Sequence, residues 1–115
     1  MPAATEATAT VSLSVSPTAT AYGVARAPYV HVLPEYLTYE TGALIEPLSV
    51  AAHAVRRAQV ALGETVLIIG AGAIGMMVAA MCRRSGAAQV IIADFSDSRL
   101  EMALQVGATI AINSG

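Results

Sequence analysis

Lysine is absent from this chain of 115 residues, and all six of its basic residues are arginines. That absence excludes chemistry built on a lysine amine, including the P-loop lysine, a Schiff base and the tyrosine and lysine pair of short-chain reductases. Cysteine is nearly absent too. With Cys82 alone, no disulfide and no cysteine zinc cluster forms within the chain, and a reducing compartment, the cytoplasm, is the expected location. Charge is scarce: six basic and eight acidic residues give a net charge of −2. The arginines stand as scattered pairs and singles, so no basic patch exists for nucleic acid.

The first twenty residues, MPAATEATATVSLSVSPTAT, contain no aromatic residue and one charge, Glu6. They have neither the positive start nor the apolar centre of a secretory signal. Such a stretch buries too little surface to order itself, and residues 1–20 read as a disordered leader. From Tyr22 to Pro34 the residues suit an extended connection with one short strand near Tyr29 to Leu33. Thr38 then reads as an N-cap with Glu40 in the first helical turn. Leu44, Leu48, Ala51, Val55 and Ala58 recur at helical steps interrupted by Pro47, which predicts two short helices or one kinked helix. Arg56 and Arg57 suit its C-terminal end, and Gly63 closes the element.

What remains is more distinctive. Residues 65–75 read TVLIIGAGAIG, an apolar run ending in Gly70, Gly72 and Gly75. A strand that stops, turns sharply and opens a helix presents backbone N–H groups to a phosphate, and glycine permits both the turn and the ligand's approach. Val66 to Ile69, an unbroken apolar run, is the expected strand, buried on both faces of a parallel sheet. Ile74, Met77, Val78 and Met81 then mark one face of a helix ending near Arg83, Arg84 and Gly86. Val90 to Ala93 is the next strand, with Asp94 at its end, nineteen residues beyond Gly75. A helix from Ser96 to Val106 and a third strand from Ile110 to Ile112 complete the order. The fold class is therefore α/β, a partial Rossmann-like parallel sheet in β-α-β-α-β order, preceded by a helical segment and the leader. An acid at that distance from three spaced glycines specifies an adenine-dinucleotide site. Thr65 to Cys82 carries no charge, just long enough for a membrane span. The clustered glycines, the one-sided helical stripe and the following acid argue against one, and no membrane partner is expected.

The stretch GALIEPLSVAAHAVRRA from Gly42 to Ala58, followed by TVLIIGAGAIG and IIADFSDSRLEMALQVGAT, resembles the zinc-dependent sorbitol and polyol dehydrogenases of the medium-chain dehydrogenase superfamily. The resemblance covers roughly residues 22 to 115. It implies that Gly70, Gly72 and Gly75, with the amides of Ala73 and Ile74, cradle the pyrophosphate. It also implies that Asp94 holds the adenosine ribose and repels the extra phosphate of NADP, making NAD the cofactor. Arg99 aligns with an arginine near the adenosine end, or is simply a solvated helix residue. Ala73 departs from the proline common at that place. Glu46 corresponds to a glutamate beside the catalytic zinc, but the remaining ligands have no counterpart here and one carboxylate cannot hold zinc. The residues themselves offer Glu46 a second role, an acid favoured at a helix start. His31 and His53 form no metal motif.

After the leader 1–20, which has no counterpart in that family, the same resemblance implies two segments: a catalytic-domain remnant with connecting helices over 21–62, and the first half of an NAD-binding domain over 63–115. Full-length relatives transfer hydride between a polyol and NAD with zinc as Lewis acid. On this reading the chain alone is inactive, has no catalytic residue, and meets a polyol only if the missing domain is supplied. The first Rossmann strand would become an apolar edge, inviting self-association or pairing with a complementary chain. The competing expectation is a non-catalytic nucleotide-binding or interaction fragment acting through that edge.

Overall fold

The computed structural model describes the backbone of residues 8–16 and 19–115, and the chain divides into two units, 1–37 and 38–115. In the first, β1 (Thr8–Ser16) pairs antiparallel with β2 (Ala19–Arg26), with Thr8 opposite Arg26 and an irregular register between Ser14 and Ser16. The sequence reads there as a leader without order. Its Val11, Leu13 and Val15 nevertheless alternate with Ser and Thr, which supplies the period of two and the β-branched residues a ladder uses. Residues 1–7 and 17–18 of that leader lie outside the described residues.

The strand expected near Tyr29 to Leu33 does not form. Ala27–Tyr29 make one 3-10 turn, with the Val30 N–H donating to the Ala27 carbonyl at 3.1 Å, and the Leu37 N–H closes a turn on Pro34 at 3.0 Å. Pro28 and Pro34 have no N–H to give a ladder, so the segment between them turns instead.

In the second unit, Thr38 caps α1 (Tyr39–Ala43) by accepting from the Thr41 N–H at 3.2 Å. A break at Leu44 separates α1 from α2 (Ile45–Arg57). Pro47 falls in the first turn of α2, where a missing N–H costs nothing, so the proline follows the break rather than making it. The helix ends at Arg57, and Gln59 takes the left-handed conformation with φ 54°. Gly63 therefore does not close it. It lies in the turn that enters the sheet, its N–H donating to Gly86 at 2.9 Å.

The strands β3 (Thr65–Ile69), β4 (Gln89–Asp94) and β5 (Ile110–Asn113) form a parallel sheet in that order, with Ile68 beside Ile92 and Ile92 beside Ala111. Helices α3 (Ala73–Arg84) and α4 (Asp97–Val106) connect them. This is the β-α-β-α-β order expected, and no described helix is long and apolar enough to cross a membrane.

Two expectations about burial are corrected. Val66 to Ile69 was read as buried on both faces, yet only Ile68 is buried, while Leu67 is 60% and Ile69 85% exposed. Among the described residues β3 is an edge strand with one covered face. Helix α3 buries Ala79 and Cys82, not Ile74 and Met77, and its inward line runs through Gly75, Ala79 and Cys82. Small side chains let its backbone lie close to the sheet, and the larger Val78 and Met81 flank that line against the core. On α2 only Ala51 and Val55 are buried, and Leu44 and Leu48 stay exposed.

Ile92 sits at the centre of this core, wholly buried on the middle strand. Ile92→Ala is expected to lower the unfolding free energy by about 2–5 kcal/mol in urea titrations. Leu67→Ala, on the uncovered face, should cost less than about 1 kcal/mol. Equal losses would show that the two faces of β3 and β4 are not covered as described.

Candidate nucleotide site

Strand β3 ends at Ile69, and the next three residues carry the chain from the sheet into α3. Gly70 takes φ +99°, a left-handed conformation that L side chains rarely adopt. Its N–H donates to the Ala93 carbonyl at 2.7 Å and so extends the β3–β4 ladder by one bond. Gly75, one turn into α3, meets Gly70 so closely that a Cβ there would collide with the Gly70 carbonyl oxygen. At Gly72, by contrast, a Cβ would meet open space. Gly70 and Gly75 thus serve the turn and the contact between helix and strand, while Gly72 leaves the outer side of the loop clear.

Gly72 is the N-cap of α3 and has no side chain to cap it. The first helical hydrogen bond runs from the Met76 N–H to the Gly72 carbonyl at 2.9 Å. The N–H groups of Ala73, Ile74 and Gly75 have no carbonyl before them in the helix. Ala73 and Ile74 are exposed, so the positive end of the helix dipole opens to solvent beside the loop.

Asp94 lies at the end of β4, only 6% exposed, and is the one buried charged residue among those described. Its Oδ2 accepts the Ala71 N–H at 2.7 Å and its Oδ1 the Ser96 N–H at 2.9 Å. These two bonds hold its carboxyl below the usual carboxylate range. Burial acts in the opposite direction, and Arg99 adds a smaller downward pull. The Arg99 Nη1 stands 4.0 Å from Oδ1 with its side chain 52% exposed, and its guanidinium lies 5.8 Å from the centre of the Phe95 ring.

The structure brings together the loop 70–75, Asp94 and Arg99. It does not bring Glu46 to them. Glu46 lies exposed in the first turn of α2, and the described residues include no group of three His, Cys, Asp or Glu able to hold a metal. His31 and His53 are exposed, and the open depression lined by His53, Arg56, Arg57 and Gln59 at the C-terminal end of α2 includes no residue of the loop. Ala71 and Ser96 went unnoticed in the sequence because both act through backbone N–H groups, which carry no residue-type signal. Phe95 was legible only as the single phenylalanine next to Asp94.

Comparison with known proteins places these features. No protein-family profile matches the chain. Mouse sorbitol dehydrogenase is 48% identical over 89 residues, 77% of this chain and 25% of that protein. A zinc-binding dehydrogenase structure from Clostridium scindens superposes with a TM-score of 0.79 at 34% identity, covering 84% of this chain and 27% of the other. An Escherichia coli alcohol dehydrogenase solved with NADH superposes with a TM-score of 0.77 at 35% identity over 82% of this chain and 28% of its own. The chain thus spans about a quarter of the length of the relatives it matches.

The buried carboxylate has a consequence for acid stability. Its pKa is lower folded than unfolded, so its contribution is complete above the unfolded value, near pH 4, and is lost as pH falls through the lower folded value. Urea unfolding of the protein should show stability falling on acidification below about pH 4, and Asp94→Asn should flatten that fall. Parallel curves would mean that other carboxylates carry the acid sensitivity.

Proposed function

The chain belongs, over the segment it shares with its relatives, to the polyol-dehydrogenase branch of the zinc-dependent medium-chain dehydrogenases, and on that premise we propose that it binds the adenosine and pyrophosphate part of NAD for hydride transfer between a polyol and that cofactor. The observation that carries this reading is the glycine loop opening α3 directly above the buried Asp94. The N–H groups of Ala73, Ile74 and Gly75 donate to the pyrophosphate oxygens, and the clear space at Gly72 admits them. Asp94 has acceptor capacity left beyond its two backbone donors and takes the ribose hydroxyls, while its charge disfavours a phosphate at the same place. Arg99 borders the adenosine from the exposed side. Hydride acceptance is the chemistry NAD supplies when bound; these residues bind and orient its other half. The described residues do not fit a catalytic zinc, because Glu46 stands without companion ligands, and no step is assigned through one. A cytoplasmic setting suits the single thiol, Cys82, which is buried and whose pKa burial pushes up.

A second reading is favoured by the exposed Leu67 and Ile69 on the edge strand β3. An uncovered apolar edge pairs readily with another strand. In that reading the chain acts as an interaction module through β3, with a second copy or a complementary chain as partner. Sedimentation velocity over a concentration series separates the two: a monomer throughout ends the second reading.

The cofactor reading is tested by thermal unfolding with saturating nucleotide. NAD at about a hundred times its dissociation constant should stabilise the fold by about 2.7 kcal/mol, and NADP at equal concentration should do less. Gly75→Ala, which drives a methyl into the Gly70 carbonyl, should abolish the NAD effect. No shift with either nucleotide would end the proposal.

A further inference from the structure

The two bonds made by Asp94 reach beyond any ribose. We propose that Asp94 is a positioning residue for the phosphate loop: its carboxylate fixes Ala71, and through Ala71 the conformation of residues 70–75 that receives a pyrophosphate. The proposal rests on the nucleotide-binding reading above and assigns to this acid a role that does not depend on sugar hydroxyls.

The loop has almost nothing else to hold it. Gly70 and Gly72 contribute no side chain and Ala71 only a methyl, so the conformation is set by the hydrogen bonds that the loop's backbone makes. There are three. The Gly70 N–H is held by the Ala93 carbonyl, the Gly72 carbonyl accepts from Met76, and the Ala71 N–H between them is held by Asp94 Oδ2 at 2.7 Å. Ala71 is wholly buried, and a buried N–H deprived of its acceptor must either stay unpaired or move to find water. With glycine on both sides, moving is the easier course. The opposite oxygen, Oδ1, accepts from Ser96 at the N-cap of α4, so the carboxylate is itself fixed against rotation. One side chain therefore joins the loop before α3, the end of β4 and the start of α4.

The test uses ADP and 2′,3′-dideoxy-ADP, which share the diphosphate and differ in the ribose hydroxyls. Calorimetric titration of the unaltered protein and of Asp94→Ala should show dideoxy-ADP affinity falling about tenfold or more, the size of a lost charge-assisted hydrogen bond, and ADP affinity falling further, because ADP also loses the bonds to its ribose hydroxyls. An acid that serves only the sugar would weaken ADP and leave dideoxy-ADP untouched, which overturns the proposal. Asp94→Asn, with the same shape and one acceptor oxygen, should restore part of the dideoxy-ADP affinity. Amide hydrogen exchange supplies a reading that needs no variant: in the unaltered protein the Ala71 amide should exchange at least about tenfold more slowly than an exposed loop amide. Fast exchange at Ala71 overturns the tether. In Asp94→Ala exchange should quicken at Ala71 while Val90 and Ile92 stay protected. If ADP fails to bind the unaltered protein, the nucleotide reading fails. If ADP binds and dideoxy-ADP ignores the substitution, the tether alone fails.

Discussion

The distance between Gly75 and the Gly70 carbonyl governs the second unit. No side chain fits between the first turn of α3 and the loop that leads into it, so the start of the helix is held against the end of β3. From that approach the inward line of α3 follows: Gly75, Ala79 and Cys82 face the sheet, and only small residues are accommodated along it. The bulkier Val78 and Met81, partly buried, then pack against the same core. The loop consequently stands over the carboxyl end of the sheet, where β4 delivers Asp94. The proposed nucleotide site is thus a product of helix packing as much as of local turn chemistry.

Burying a carboxylate there is costly unless it is hydrogen-bonded, and two short bonds from backbone N–H groups meet that condition. Arg99 matters less than its charge implies. Its guanidinium is half exposed, stands at the outer limit of ion-pair distance from Oδ1 and also leans over Phe95, so water screens much of the attraction. The backbone bonds are therefore what keep Asp94 ionised, and an ionised acid is what the sugar end of a dinucleotide requires.

Much of this was legible in the sequence, for a physical reason. Strand order, the glycine loop, Asp94, the Thr38 cap and the stop at Gly86 all depend on local chemistry, and local chemistry leaves residue-type signals. Where the reading failed, tertiary packing had decided. The apolar period of α3 points to Ile74, Met77, Val78 and Met81, of which Val78 and Met81 do pack against the core, whereas close approach puts the small Ala79 and Cys82 at its centre. Two-faced burial of β3 was inferred from an unbroken apolar run, which records what a strand tolerates and not what covers it. Pro47 was given a break that occurs at Leu44, because proline in a first turn has no bond to remove. The bonds from Ala71 and Ser96 to Asp94 were beyond reach, since any residue other than proline carries the same N–H.

The distribution of acids over the helices gives an independent argument for an anion at the loop. Helices α1, α2 and α4 each carry an acid in the first turn, Glu40, Glu46 and Asp97. Each thereby satisfies part of its own positive dipole end. Helix α3 has none, its N-cap is a glycine without a capping side chain, and its arginines, Arg83 and Arg84, lie at the far end. Among the described α-helices, the one that leaves its N-terminal charge uncompensated is the one whose first amides border the glycine loop. The chain has no lysine to neutralise a phosphate, so fixed N–H dipoles must supply most of the attraction. Dipoles act over a short range and only in the correct orientation. For a pyrophosphate to be held this way the loop has to be rigid before the ligand arrives, which is the condition that the Gly75 contact and the Asp94 carboxylate together impose.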